Sequence, residues 1–181
     1  MPFEHFDNIS YLKGGTPKQR QAYEVLTQYQ VIDKLVDYTP ILAGTIPINI
    51  DIKNSDLDII CCFANENDFE DNVQLQFGKF SVFTIKHTTV NGQETIIANF
   101  MADDWEIEIF GQRVPVKQQA AYRHMLIEHH LLNYYGEEFR LNIVSLKEQG
   151  YKTEPAFAKA LNLKGDPYQV LLNMDLPEKT I

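Results

Sequence analysis

The sequence predicts an α/β (α+β) fold in which a small mixed sheet is flanked by helices, and three observations support this prediction. A helix-start signal lies near the N-terminus, strand-forming runs fill the middle of the chain, and helical periodicity returns after Pro115. Because no long linker or repeat interrupts the chain, we expect one domain over residues 1–181. It divides into an N-terminal helical segment (1–38), a mixed-sheet core (39–114) and a C-terminal helical extension (115–181).

The N-terminal helix is predicted to begin at a capping box. Thr16 supplies the capping oxygen, Pro17 suits the first turn, and Gln19 closes the box. Apolar residues then recur at helical spacing as far as about Val36. These residues are Ala22, Leu26, Tyr29 and Ile32.

Two apolar runs predict buried strands. Residues 41–43 form a short run that stops at Gly44, and Asp58–Phe63 is apolar on both faces after its first residue. The second pattern is typical of a central strand covered by helices on both sides. The segment 65–72 that follows is polar and is assigned to no element.

Antiparallel strands are predicted further along the chain. Asn91-Gly92 favours a two-residue hairpin turn, because both positions tolerate positive φ. It is flanked by strand patterns at Phe80–Val90 and Glu94–Met101. A third strand, Asp104–Phe110, ends at Gly111. The sheet is therefore expected to be mixed.

Four helices are predicted after the sheet. The first runs to Tyr135 and is stopped by Gly136, and the second covers Glu137 to about Gln149. Two shorter helices begin near Thr153 and Asp166.

Composition excludes several classes of protein. The 16 Lys and Arg residues against 25 Asp and Glu residues give a net charge of −9, with no basic run, which argues against a large nucleic acid as partner. No apolar stretch reaches the ~20 residues of a membrane span, and the start of the chain has no signal-peptide pattern. We therefore expect a cytoplasmic protein without a membrane partner. Its adjacent cysteines, Cys61 and Cys62, point to opposite faces of a strand and cannot jointly hold zinc.

The densest polar signal is Gly44-Thr45, which nine intervening residues separate from Ser55-Asp56-Leu57-Asp58. Two Asp residues at alternate positions entering a strand project from one face, and charges ~4 Å apart repel by about 4 kcal/mol at an effective dielectric of 20. Such a pair needs a cation, and oxygen-only ligands favour Mg²⁺. The Gly44-Thr45 turn offers backbone amides and a hydroxyl to phosphate oxygens.

A third acid is expected from the strand Asp104–Phe110. Glu106 and Glu108 share the face opposite Trp105, Ile107 and Ile109. Glu108 is the choice because it lies deeper in the strand, where an ionised side chain most needs a charge partner. Glu106 and Asp104 remain alternatives.

The polar residues also allow other interpretations. Asp56 and Asp58 could form a solvated strand entry, whereas a calcium loop starting at Asp51 fails because its sixth position is not glycine. His124 and Glu128, with the neighbouring His129 and His130, are expected at the surface or partly buried, since no two histidines stand four apart. A triphosphate ligand could be any of several basic residues, namely Lys53, Lys79, Lys86, Arg113 and Lys117.

These motifs resemble the signature of the nucleotidyltransferase superfamily, in which a Gly-Ser or Gly-Thr turn precedes Asp-x-Asp and a later strand carries a third acid. Longer runs also look like a bacterial family of unknown function usually placed in that superfamily. They are Gly44-Thr45-Ile46-Pro47-Ile48, residues 55–61, residues 108–112 and residues 152–158.

The resemblance implies a fold of the minimal nucleotidyltransferase type and a role for each motif residue. Asp56, Asp58 and Glu108 would be the catalytic acids that hold Mg²⁺, and Gly44, Thr45 and Ser55 would contact the nucleoside triphosphate. The implied activity moves a nucleotidyl group, AMP from ATP, to a hydroxyl of a small molecule or a protein. The alternative is a catalytically inactive relative that binds nucleotide or serves as a structural module. A hydrolytic or phosphotransfer enzyme using the same acids ranks lower, because no nucleophilic Ser-His or Cys-His arrangement is apparent.

Overall fold

The computed structural model describes residues 3–177 as a five-stranded mixed sheet with helices on both faces. The strands are β1 (Ile41–Ala43), β2 (Leu57–Cys62), β3 (Ser81–Val90), β4 (Gln93–Ala102) and β5 (Trp105–Gln112). The helices are α1 (Pro17–Gln28), α2 (Val31–Lys34), α3 (Glu66–Phe77), α4 (Ala120–Tyr135), α5 (Glu137–Glu148), α6 (Thr153–Ala160) and α7 (Pro167–Leu172). Short 3₁₀ turns cover Phe3–Phe6, Ser10–Gly14, Val36–Tyr38 and Val116–Gln118. The predicted mixed sheet with flanking helices is confirmed.

The sheet has the strand order β1-β2-β5-β4-β3. Only β2 and β5 run parallel, and the other neighbouring pairs are antiparallel. The parallel pair occupies the middle of the sheet. Residues of the β2 entry and of β5 therefore meet side by side.

The helix start and the hairpin match the sequence prediction. Thr16 and Gln19 form the complete capping box of α1, and Asn91 and Gly92 both have positive φ in the β3–β4 turn. The first helix ends at Gln28 rather than near Val36, because Gln30 adopts a left-handed conformation and starts the separate helix α2.

Two further element predictions were wrong. The polar segment 65–72 is the first half of α3, which Asn65 caps and which buries Phe69, Val73 and Phe77 along one side. Strand β5 continues past Gly111 to Gln112. A Cβ at Gly111 would collide with the ring of Phe69, so glycine there serves close packing of α3 rather than strand termination.

Two hydrophobic clusters cover the two faces of the sheet. On what we call the apolar face, alternate strand residues such as Leu57, Ile59 and Ile107 pack with α1 and α3. On the other, which we call the acidic face, Ile60 and Phe110 pack toward α4 to α7. Asp58 and Glu108 alternate with the first set, so they project from the acidic face.

The adjacent cysteines follow the same alternation. Cys61 is buried in the cluster on the apolar face, whereas Cys62 is half-buried against the cluster on the acidic face, and both are free. None of the helices in residues 3–177 combines the length and apolar character that crossing a membrane requires.

Candidate functional site

The structure brings the three predicted acids together. Asp58 and Glu108 are direct partners across the parallel β2–β5 pair, and Asp56 lies just before β2. All three are half-buried and line one cavity of about 420 Å³ between the sheet and the C-terminal helices. Two neighbouring strands thus point carboxylates into the same space.

Burial and neighbouring charges make Asp58 and Glu108 harder to ionise. Burial raises the pKa of Asp58 to about 7, and the charges of Asp56 and Glu108 add to this shift. Burial also raises the pKa of Glu108, with Asp56 as the next largest cause. The site therefore favours any ligand that brings positive charge between the acids.

The alternative third acids lie elsewhere. Glu106 is exposed and borders a separate groove between β3, β4 and β5, which Glu108 reaches as well. Asp104 is exposed in the turn between β4 and β5. Of the three acids considered in this strand, Glu108 is the one that lines the cavity with Asp56 and Asp58.

The turn after β1 lies against the acids because residue 44 has no side chain. Gly44 has φ +75°, and a Cβ there would collide with Oδ2 of Asp58. Both its left-handed backbone and its contact with the carboxylate therefore require glycine. Thr45 and Ser55 line the same cavity, with their hydroxyl oxygens 3.3 Å apart. The Ser55 oxygen also accepts a hydrogen bond of 2.9 Å from the Ile52 amide.

Buried side chains from two helices hold the loop between β1 and β2. The Gln19 amide of α1 donates to the carbonyls of Ile46 and Pro47 at 2.8 and 3.2 Å. Lys147 of α5 donates to the Ile50 carbonyl at 2.8 Å. Because these donors replace water at the loop carbonyls, the loop is fixed before any ligand binds.

Helices α4 to α6 form a second wall of the cavity, which sequence reasoning missed. His124, Glu128, Lys147 and Glu154 all line it. The expectation that His124 and Glu128 lie at the surface or are only partly buried was wrong: they are 5% and 4% exposed. They lie on the side of α4 that carries the buried Met125 and therefore faces the sheet.

The basic residue at the cavity is Lys147. Burial lowers its pKa to about 8, while Glu128, Asp51, Asp56 and Asp58 act in the opposite direction. None of the five basic residues suggested by the sequence lines the cavity, although the charge of Lys86 acts to lower the pKa of Glu108. The overlooked signal was a lysine on the same helical side as the buried Ile143.

The acids can serve as part of a metal site. Among residues 3–177, no three His, Cys, Asp or Glu side chains are arranged so that they could hold a metal ion by themselves. The carboxylate oxygens of the three predicted acids nevertheless suit Mg²⁺, which usually takes one or two carboxylates and completes its shell with phosphate oxygens and water. Asp56, Asp58 and Glu108 fit that chemistry, since their own repulsion calls for a cation.

Three solved structures share this fold. The GLD-2/RNP-8 complex is 14% identical with a TM-score of 0.54, and the match covers 84% of this chain and 61% of that chain. The Cid1 poly(U) polymerase with magnesium and 3′-dATP bound is 12% identical with a TM-score of 0.51, and the match covers 73% of this chain and 41% of that chain. The polymerase core of TRAMP, an RNA surveillance complex, is 10% identical with a TM-score of 0.50, and the match covers 90% of this chain and 50% of that chain. The chain spans less than two thirds of the length of each neighbour. At these identities the likeness establishes the fold.

Sequence comparison places the chain in a family. No curated protein matches it by sequence. A family model described as "Domain of unknown function (DUF4269)" matches residues 24–174, which include every residue named above as lining the cavity. The chain belongs to this family.

Proposed function

We propose that the chain is an Mg²⁺-dependent nucleotidyltransferase that moves AMP from ATP to a hydroxyl of a small molecule or protein. The observation that carries the proposal is the pairing of Asp58 with Glu108 across β2 and β5, beside Asp56, at one cavity. The neighbours that share the fold include a polymerase described with magnesium and 3′-dATP bound.

The acids on the sheet would bind the metal. Asp56 and Asp58 come from one strand entry and Glu108 from the next strand, so their carboxylates approach the cavity from two directions. Bound there, divalent cations would neutralise phosphate charge and lower the pKa of the acceptor hydroxyl. The protein contributes position, because β2 and β5 fix the acids in the middle of the sheet.

The loop side of the cavity would bind the triphosphate. Gly44 leaves its backbone accessible beside Asp58, and the hydroxyls of Thr45 and Ser55 supply hydrogen-bond donors. Lys147 adds positive charge at the same cavity. Together these groups can bind an anionic ligand. Because the ligand would lie next to the acids, which repel it, a cation must bind with it.

Binding of ATP with Mg²⁺ tests the site. We expect MgATP to raise the melting temperature of the wild type, because a ligand at about 100 times its Kd stabilises the folded state by about 2.7 kcal/mol. Asp58→Asn should remove most of this shift by deleting a metal ligand. Asp71→Asn, on the exposed side of α3, is the matched control and should retain it.

Release of pyrophosphate in the presence of acceptors tests the transfer reaction. We expect release that requires both Mg²⁺ and a hydroxylated acceptor and that Asp58→Asn abolishes. A thermal shift that survives Asp58→Asn would contradict the metal site. Binding without any pyrophosphate release across an acceptor panel would contradict the proposed transfer.

A further inference from the structure

The helical wall of the cavity contains a buried carboxylate with no evident partner. Glu128 is 4% exposed and lines the cavity, and among the described residues its Oε1 atom has no hydrogen-bond partner. Burying an unsatisfied carboxylate costs stability. Neither metal binding nor triphosphate binding, as proposed above, uses this residue.

The groups around Glu128 do not neutralise it. Burial raises the pKa of Glu128 to about 8, and the charge of Glu154 adds to that shift while Lys147 opposes it. The Lys147 ammonium donates its hydrogen bond to the Ile50 carbonyl. Oε1 of Glu154 lies 3.4 Å from Nδ1 of His124. A hydrogen-bond donor with positive charge would therefore satisfy Glu128.

The balance of charge in the cavity points the same way. Among residues 3–177, five carboxylates line it, from Asp56, Asp58, Glu108, Glu128 and Glu154, against the single ammonium of Lys147. In the proposed function, divalent cations and a triphosphate largely offset each other's charge. Glu128 on the helical wall would then still lack a cation, because Glu154 already lies beside His124 and unpaired buried charges are strongly unfavourable.

A second cavity of about 600 Å³ adjoins the first. The two share Phe110, Ala121, His124 and Glu154 in their walls. Amide side chains, including Gln112 and Gln119, line much of the second cavity.

Gln119, in the wall of the second cavity, carries an acceptor atom without a hydrogen-bond partner among the described residues. It is 2% exposed, and its Nε2 donates to the carbonyls of Cys61 and Val114 at 2.8 and 2.9 Å. Its Oε1 is buried and has no partner among the described residues. Each of the two joined cavities is thus lined by a residue with an unsatisfied acceptor oxygen, and hydroxyl and ammonium groups would satisfy both.

We propose that the acceptor is a small hydroxylated amine, with its ammonium group beside Glu128 and Glu154 and its remaining hydroxyls in the second cavity near Gln119. This inference rests on the proposed function and specifies its acceptor class. A bound ammonium favours the ionised form of Glu128, so it removes the cost of burying that side chain alone. An RNA acceptor would instead bring phosphates toward acids.

Titration calorimetry with two matched pairs of probes tests the inference. The pairs are glucosamine with glucose and diaminopropanol with glycerol, each measured with Mg²⁺ and a non-hydrolysable ATP analogue and again without them. We expect each amine to bind at least about tenfold more tightly than its hydroxyl counterpart, a difference of about 1.4 kcal/mol. Glu128→Gln should reduce amine affinity by at least about tenfold and leave the affinity for the ATP analogue unchanged.

Two further variants keep the test decisive. Glu154→Gln, at a residue whose side chain is 20% exposed, carries the same expectation if Glu128→Gln does not fold. Glu148→Gln, exposed at the end of α5, should change neither affinity. Equal binding of amines and hydroxyl counterparts, no amine binding at all, or amine binding that survives both cavity variants would overturn the inference.

The nucleotide measurements separate this inference from the proposed function. If the ATP analogue fails to bind with Mg²⁺ while the amines bind through Glu128, the proposed transfer fails and the amine site stands. If the analogue binds and an RNA oligonucleotide is extended in place of an amine being modified, the acceptor assignment fails and nucleotidyl transfer stands.

Discussion

The two faces of the central sheet solve different physical problems with the same strands. On the apolar face, Ile59 and Ile107 are fully buried against the helices, and stacked aromatic rings such as Phe77 and Phe100 fill the space. On the acidic face, Asp58 and Glu108 occupy neighbouring positions in the middle of the sheet and border a cavity. Burial of apolar side chains on the apolar face stabilises the fold, whereas the close carboxylates on the acidic face lower its stability.

The comparison separates residues that maintain the fold from residues that the site needs. A change on the apolar face should lower stability and leave ligand binding intact. A change on the acidic face should affect binding or chemistry and in some cases should raise stability, because removing a buried charge relieves strain in the unliganded protein.

Phe77→Ala should have the largest effect on stability. The ring is fully buried on α3 and stacks on Phe100 at a centroid distance of 4.9 Å. Its loss should lower the free energy of unfolding by about 3–5 kcal/mol, measured by urea denaturation. The MgATP affinity of the folded variant should stay within about twofold of wild type, since the site is on the other face. A parallel loss of nucleotide affinity would show that the two faces are not separable.

Among the four changes compared here, Glu108→Gln should have the largest effect on the reaction. We expect the rate of pyrophosphate release to fall about 100-fold, which corresponds to about 2.7 kcal/mol in activation free energy. Glu106→Gln, on the same side of the same strand but outside the cavity, is the control and should stay within about twofold of wild type. A larger loss of rate in Glu106→Gln than in Glu108→Gln would show that Glu106, and not Glu108, is the third acid.

Gly44→Ala should impair both stability and nucleotide binding. Its positive φ and the collision of a Cβ with the Asp58 carboxylate should together cost about 1–3 kcal/mol in the free energy of unfolding. Gly92→Ala is a matched control, because Gly92 has φ +76° and no atom within 4 Å of an added Cβ. MgATP affinity should fall only in the Gly44 variant. Equal effects of the two substitutions would show that contact with Asp58 is unimportant.

Glu128→Gln should stabilise the unliganded protein in a pH-dependent way. The pKa of Glu128 is raised from 4.5 to about 8 in the folded state, so the wild type loses stability as the pH rises between these values. The glutamine variant lacks this loss, so its advantage should grow by at most about 1.4 kcal/mol per pH unit and level off above pH 8. Urea denaturation between pH 5 and pH 9 measures it. A constant difference across this range would contradict a buried, uncompensated acid.

Local patterns were sufficient to predict the sheet and the acids it carries. The hairpin at Asn91-Gly92 follows from the backbone preferences of two residues, and the shared face of Asp58 and Glu108 follows from strand alternation. Helix α3 was missed because only Phe69 marks its buried side within the polar segment 65–72, and Val73 and Phe77 complete the apolar stripe beyond it. A window extended to Phe77 would have shown helical spacing.

The helical wall of the cavity could not be predicted with the same means. Glu128 and Lys147 belong to different helices, and nothing local to either helix indicates that both line one cavity with Asp58. What the sequence does show is an ionisable residue on the apolar side of each helix. Such residues are candidates for a binding site, because an unpaired charge is rarely retained in a core.

The most direct test of the central claim is an anomalous diffraction measurement on crystals grown with Mn²⁺ and a non-hydrolysable ATP analogue. We predict a manganese peak within coordinating distance of the carboxylates of Asp58 and Glu108, with the triphosphate beside Gly44 and Thr45. A triphosphate bound elsewhere, or manganese that contacts neither Asp58 nor Glu108, would contradict the account.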